Sequence, residues 1–152
     1  MRVIKSMLLL LTILFAAAPS FAQMEDPTSW KYEVKKKSAT EYQLIFHVTV
    51  KDGWHIWSTH PGGDGSLIAP SFNFAKNGNV KLKGDVTEKG APVTTTMDGI
   101  DGKVIYLNGK IDYVENVTVT GATKITGTHT YQVCNDRMCL APKDKEFSFD
   151  IK

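Results

Sequence analysis

Cys134 and Cys139 are the two cysteines of the 152-residue chain, and four residues separate them. Thiol–disulfide exchange is the chemistry such a pair can do. It needs a thiolate, and a free cysteine ionises only near pH ~8.5. Arg137, two residues before Cys139, favours the anion, whereas Asp136 opposes it. Bridging the two sulfurs requires the backbone to fold back, because bonded cysteines bring their Cα atoms within about 4.4–6.8 Å. Asn135 and Asp136 are turn formers, and Pro142 stops a strand from running straight on. The expectation is a cysteine-closed turn between two strands. Closing a loop of about six residues contributes only ~2 kcal/mol. A short exposed loop suits a labile bond, and a small structural disulfide is the alternative.

The elements around this turn read as β throughout. Tyr42, Leu44, Phe46, Val48 and Val50 alternate with polar residues along one run, as do Trp30, Tyr32 and Val34 before it. Lys51-Asp52-Gly53 is a turn, and Trp54 to Trp57 resumes a strand. Residues 58–71, with Pro61, Gly62, Gly63, Gly65 and Pro70, read as a long loop. Phe72 and Phe74 mark a short strand, and residues 84–102 show no clear period except around Val93. Lys103–Leu107 is a strand, and Asn108-Gly109 after it is a hairpin signal. An irregularity is expected near Glu115-Asn116. Ile125, His129, Tyr131 and Val133 share one face of a long strand that runs into the cysteines. Phe147, Phe149 and Ile151 close the domain. No segment has a helical period. Roughly seven to nine strands, turning every 8–12 residues or so, predict an all-β, immunoglobulin-like antiparallel sandwich, with an up-and-down barrel as the alternative. Trp30, Leu44, Phe46, Val48, Phe72, Phe147 and Phe149 are the expected core.

The first residues carry an address. Arg2 and Lys5 precede the apolar run Met7–Ala18, and Ser20-Phe21-Ala22 offers a signal-peptidase site. Residues 1–22 therefore read as a secretory signal peptide and residues 23–152 as one domain, with no stable membrane anchor after cleavage. The chain holds 18 Lys and Arg against 16 Asp and Glu, and loss of Arg2 and Lys5 leaves 16 against 16. That balance suggests neither a nucleic acid nor an anionic membrane as partner. An exported chain meets an oxidising compartment, where two cysteines normally pair.

Other chemistries leave weaker traces. His55, His60, His129, Met138 and the cysteines offer soft metal ligands, but their spacing matches no zinc pattern. No hydrolase nucleophile motif is present. Exchange between sulfurs calls for no cofactor. His55 and Trp57 share one face of their strand, with Trp54 and Ile56 on the other. With Ile56 inward, His55 is placed to face the cysteine turn or to stand in solvent.

Lys51-Asp52-Gly53-Trp54-His55-Ile56-Trp57, then Asp98-Gly99-Ile100-Asp101-Gly102-Lys103, then Tyr131–Pro142 occur in an order that resembles the periplasmic N-terminal domain of the thiol:disulfide interchange reductase DsbD. The resemblance covers most of residues 28–151. It implies an immunoglobulin-like fold and a periplasmic location. It also implies a redox pair that takes electrons from a thioredoxin-like donor and passes them to a periplasmic disulfide isomerase or another thioredoxin-like acceptor. Cys139 corresponds to the attacking thiol and Cys134 to the resolving one. Asp98 to Gly102 corresponds to a cap loop over the cysteines with Ile100 at its tip, and Asp98 there opposes a thiolate. His55 and Trp57 stand where the family has tyrosines. The cysteines here are one residue closer than in the best-known member. The other class of function is a binding module of the same fold whose disulfide only shapes a loop.

Overall fold

The computed structural model describes residues 26–152, and the expected signal peptide lies outside the described residues. Among the described residues there is no helix. Twelve strands follow one another: β1 (Thr28–Lys36), β2 (Glu41–Val50), β3 (His55–Gly62), β4 (Ser71–Phe74), β5 (Val80–Leu82), β6 (Thr87–Lys89), β7 (Pro92–Met97), β8 (Ile100–Leu107), β9 (Lys110–Val119), β10 (Thr123–Tyr131), β11 (Val133–Cys134) and β12 (Lys143–Ile151). That is more than the seven to nine expected, because several are three-residue or two-residue pieces. They form three antiparallel sheets. One has the order β1-β2-β9-β5, with β6 also on β9; one is β12-β10-β4; one is β11-β3-β8-β7.

The period-two run of β2 sets the architecture. Its alternate residues Leu44, Phe46, Val48 and Val50 are all at most 2% exposed, on the inner face of the five-stranded sheet. They meet Ile125 and Tyr131 of β10, Phe147, Phe149 and Ile151 of β12, Ile56 of β3, Leu107 of β8 and Val133 of β11. The two smaller sheets thus share one core with the larger one, and the fold is an immunoglobulin-like antiparallel sandwich. Phe46 is its centre, with ring centroids of Phe72, Phe147 and Phe149 4.8, 4.9 and 5.1 Å away. Trp30 and Phe72 are only partly buried, since they pack against this core from its rim. Gly127 lies where β4 and β12 close on β10. A Cβ there would collide with the Asn73 carbonyl and the Phe147 ring.

Four expectations need correction. The stretch from residue 58 is not all loop: β3 continues to Gly62 through an irregularity between Trp57 and Gly62. Amides in that bulge lack ladder partners, and Glu88 of β6 replaces them, accepting from the Thr59 N–H at 2.8 Å and from the Ser58 hydroxyl. Asn108-Gly109 is not a hairpin turn. It carries the chain from β8 in one sheet to β9 in another, and the Gly109 carbonyl accepts from the Val50 N–H at 2.7 Å. Residues 84–102 hold β6 and most of a β7–β8 hairpin. Their apolar signal was weak because these strands are largely exposed. The irregularity expected near Glu115-Asn116 lies in the partner strand: β9 is continuous, and β5 and β6 leave a gap beside it. Glu115 faces that gap and accepts from the Lys83 N–H at 3.2 Å.

Candidate functional site

β10 ends at Tyr131 in the three-stranded sheet, and β11 begins at Val133 in the four-stranded one, so the chain changes sheets across Gln132. Val133 and Cys134 pair with Ile56 and His55. Side chains alternate along the strand. Val133 therefore enters the main core with Ile56, and Cys134 emerges on the outer face of the sheet. The turn that follows is built as the sequence suggests. Asn135 Oδ1 accepts from the Arg137 and Met138 N–H groups, both at 2.9 Å. The Asn135 N–H donates to the Met138 carbonyl, and the Leu140 N–H to the Val133 carbonyl, each at 2.9 Å. Cys139 returns directly opposite Cys134 with Cα atoms 4.0 Å apart, and the sulfurs are bonded.

The two sulfurs live in different surroundings. Cys134 is fully enclosed, while Cys139 is exposed. What encloses Cys134 is a second apolar cluster on the outer face of the sheet: Trp57, 1% exposed, and Val104 at 0%, with Leu67, Met97, Ile100 and Tyr106 packed over them. Met97 and Ile100 flank the β7–β8 turn, so this hairpin tip folds down onto the sheet next to the disulfide. Asp98 is at the same tip but is exposed, and it makes no hydrogen bond or ion pair among the described residues. Arg137 is exposed too, and its side chain has no ion pair among the described residues. The structure thus brings Cys134, Cys139, His55, Trp57 and Ile100 together and leaves Asp98 and Arg137 in solvent.

His55 is not the solvated strand histidine that was one of its two readings. It is 7% exposed and stands in register with Cys134. Its ring stacks on Tyr106 at 4.2 Å and meets Trp57 edge-on at 5.0 Å. Burial pushes its imidazole below the ordinary histidine value, and Asp136 partly opposes that. His55 Nε2 and Trp57 Nε1 are buried without a hydrogen-bond partner among the described residues. Tyr106, Met97 and Leu67 were not singled out from sequence. The signal for Tyr106 was its register, since it pairs with Trp57 across β3 and β8. The potential metal ligands scatter. His129 is in the main core, with Nε2 2.9 Å from the Tyr32 hydroxyl, and His60 is exposed.

One sulfur in solvent and one in an apolar pocket make a directional device. Such a pair suits attack by an outside thiolate on the exposed Cys139, with Cys134 as the leaving group.

Residues 22–151 match the family described as thiol:disulfide interchange protein DsbD, N-terminal. No curated protein sequence matches the chain. Among solved structures, the N-terminal periplasmic domain of ScsB from Proteus mirabilis is similar at 16% identity and a TM-score of 0.63. The match covers 83% of this chain and 47% of that one, so the chain spans about half of the ScsB domain. The GAE domain of GGA2p from Saccharomyces cerevisiae is similar at 12% identity and a TM-score of 0.45, over 85% of this chain and 93% of that one. The reduced N-terminal domain of DsbD from Neisseria meningitidis is similar at 18% identity and a TM-score of 0.41, over 80% and 84%.

Proposed function

Because the chain belongs to the family of the N-terminal domain of the thiol:disulfide interchange protein DsbD, we propose that it relays electrons in the periplasm between a thioredoxin-like donor and disulfide-containing partners, through Cys134 and Cys139. The observation that carries this is the asymmetry of the pair: Cys134 enclosed, Cys139 exposed. A donor thiolate attacks Cys139 Sγ. The Cys134–Cys139 bond breaks, Cys134 keeps the electron pair as a thiolate, and a mixed disulfide forms. Attack by Cys134 on Cys139 reverses the step, and a donor's second thiol completes reduction. The reduced domain then uses Cys139 to attack an acceptor disulfide, and Cys134 resolves the product.

In this reading residues 1–22 direct export and residues 23–152 are the working domain. The β7–β8 tip with Ile100 is the cap. It shields Cys134 rather than Cys139, and it keeps the resolving thiol from reagents that do not first engage Cys139. Asp98 beside it stays in solvent and tunes nothing directly.

The test is a pair of traps. Cys134→Ala leaves Cys139 able to form a mixed disulfide that nothing resolves, so it accumulates a covalent adduct with a thioredoxin-like protein on a non-reducing gel. Cys139→Ala accumulates far less, because its remaining thiol is enclosed. Capture by neither, with both variants unfolding readily, makes the bridge structural. Equal capture by both keeps the exchange and removes Cys139 as the attacking thiol.

A further inference from the structure

We propose that His55 is the proton partner of Cys134, taking the thiol proton when Cys134 closes onto Cys139 and returning it when the disulfide opens. This rests on the exchange reading above and adds the proton's route to it.

The geometry comes from the sheet. His55 and Cys134 are directly opposed in an antiparallel pair, so their side chains leave the same face, with Cβ atoms about 4.5–5.5 Å apart in such pairs. Both are buried. His55 Nε2 has no hydrogen-bond partner among the described residues while the sulfurs are bonded to each other. A buried polar atom left unpartnered is costly, and a disulfide sulfur is a poor partner for it. Opening the disulfide supplies the missing partner, a thiol or thiolate. The need is equally specific. Apolar surroundings such as Trp57, Val104 and Ile100 hold a thiol in its protonated, unreactive form. A base in register with it removes that obstacle.

The steps balance. Cys134 gives its thiol proton to the imidazole, and the thiolate attacks Cys139 Sγ of the mixed disulfide. The Cys134–Cys139 bond forms, the bond to the partner breaks, and the partner sulfur leaves as a thiolate with the electron pair. The imidazolium then releases its proton through the groove that His55 shares with Lys51, Asp52, Tyr106, Asn108 and Asp136. In reverse, the departing Cys134 thiolate recovers a proton from the imidazolium.

The groups facing His55 are few. Tyr106 stacks on it from β8, Cys134 stands beside it on β11, and Asp136 acts on it from the cysteine turn. Lys51 and Asp52 line the same groove from the β2–β3 turn. None of these covalently changes when the disulfide is reduced except Cys134. A change in His55 ionisation on reduction therefore reports on that sulfur.

The experiment follows the His55 ring by NMR from pH 4 to 9 in the disulfide form and in the form reduced with dithiothreitol, with no partner protein present. The expected result is a rise in the His55 pKa of about one pH unit or more on reduction, as a new anionic neighbour produces. His47, in another sheet between Glu33 and Asp112, is the internal control and should not move. The same difference predicts that the exchange equilibrium with glutathione favours the reduced form about tenfold more on going from high to low pH in the wild type than in His55→Gln. An identical His55 pKa in both forms, or an unchanged pH profile in His55→Gln, overturns the proposal. Because neither measurement uses a thioredoxin-like protein, the outcome is independent of the trapping result. A failed trap with a shifted His55 rejects the relay and keeps the proton pair.

Discussion

Replacing each cysteine by serine should not cost the same, and the difference can be worked out from where the two residues sit. The bridge encloses a six-residue loop, Cys134–Cys139. The loop-closure expression gives about 7 cal/mol/K, or ~2 kcal/mol at 25 °C, lost by either substitution. Only Cys134→Ser also places a hydroxyl inside the Trp57, Val104 and Ile100 cluster. A hydroxyl in that apolar cluster, with His55 as its one polar neighbour, costs a further ~1–3 kcal/mol relative to the thiol. Cys139 is exposed, and a surface substitution adds within about 0.5 kcal/mol. The bridge and burial effects separate by running urea unfolding in excess dithiothreitol. There the wild type has lost its bridge as well, so Cys139→Ser should coincide with it, while Cys134→Ser unfolds earlier. With a slope of about 2 kcal/mol/M, the midpoint of Cys134→Ser should fall by ~0.5–1.5 M. Coincident midpoints for all three proteins would refute the enclosed placement of Cys134. A lower midpoint for Cys139→Ser would reverse the asymmetry on which the exchange mechanism rests.

Phe46→Ala removes the centre of the core, where Phe46 is 0% exposed, and should cost about 3–5 kcal/mol, a melting-point drop of more than ~10 °C by circular dichroism. Acidification should destabilise the fold through His129. Burial, aided by Lys145 and partly opposed by Asp144, lowers His129 to about 4, so the unfolded chain binds the extra proton between pH ~6.5 and 4. Stability is full above that window and falls by up to ~3 kcal/mol across it, urea midpoints in His129→Gln changing less with pH. His47 works in the opposite sense: burial disfavours its charge, but Asp112 and Glu33 more than offset that and raise its pKa, so its contribution is lost as pH rises through the raised value. In a reduced Cys139→Ser background, Ile100→Ala should speed alkylation of Cys134 by about tenfold, for ~1.4 kcal/mol of lost packing over the thiol. An unchanged rate by mass spectrometry means that the hairpin tip does not gate that sulfur.

The parts of the molecule that could be read from its residues are those in which one local pattern decides. The alternation of β2 named its buried face correctly because one side of that strand meets the core and the other does not. The cysteine turn was legible because Asn135 makes its hydrogen bonds within three residues. Partnerships over long distances were not legible. Asn108-Gly109 has hairpin chemistry, but its flanking strands find better partners in separate sheets, and tertiary pairing overrides the dipeptide. The buried outer face of the β3–β8 sheet was hidden for a related reason. His55 and Trp57 look like the polar side of a half-buried strand until Leu67 and the tip of a distant hairpin fold over them. Ile100, from the stretch that resembles a cap, packs at that tip. Its exposed flank, Asp98, shows that proximity in sequence to a site is not contact with it.

The switch of sheets at Gln132 has a consequence for solubility. β11 is the edge of its sheet, and an edge strand with free N–H and C=O groups is a template for another chain. Here the returning segment occupies that edge: the Leu140 N–H donates to Val133, and the Gln132 side-chain amide donates to the Leu140 carbonyl at 3.1 Å. None of these bonds involves sulfur. The edge therefore stays occupied whether the cysteines are joined or free. Opening the disulfide thus does not by itself bare this edge to a neighbouring strand.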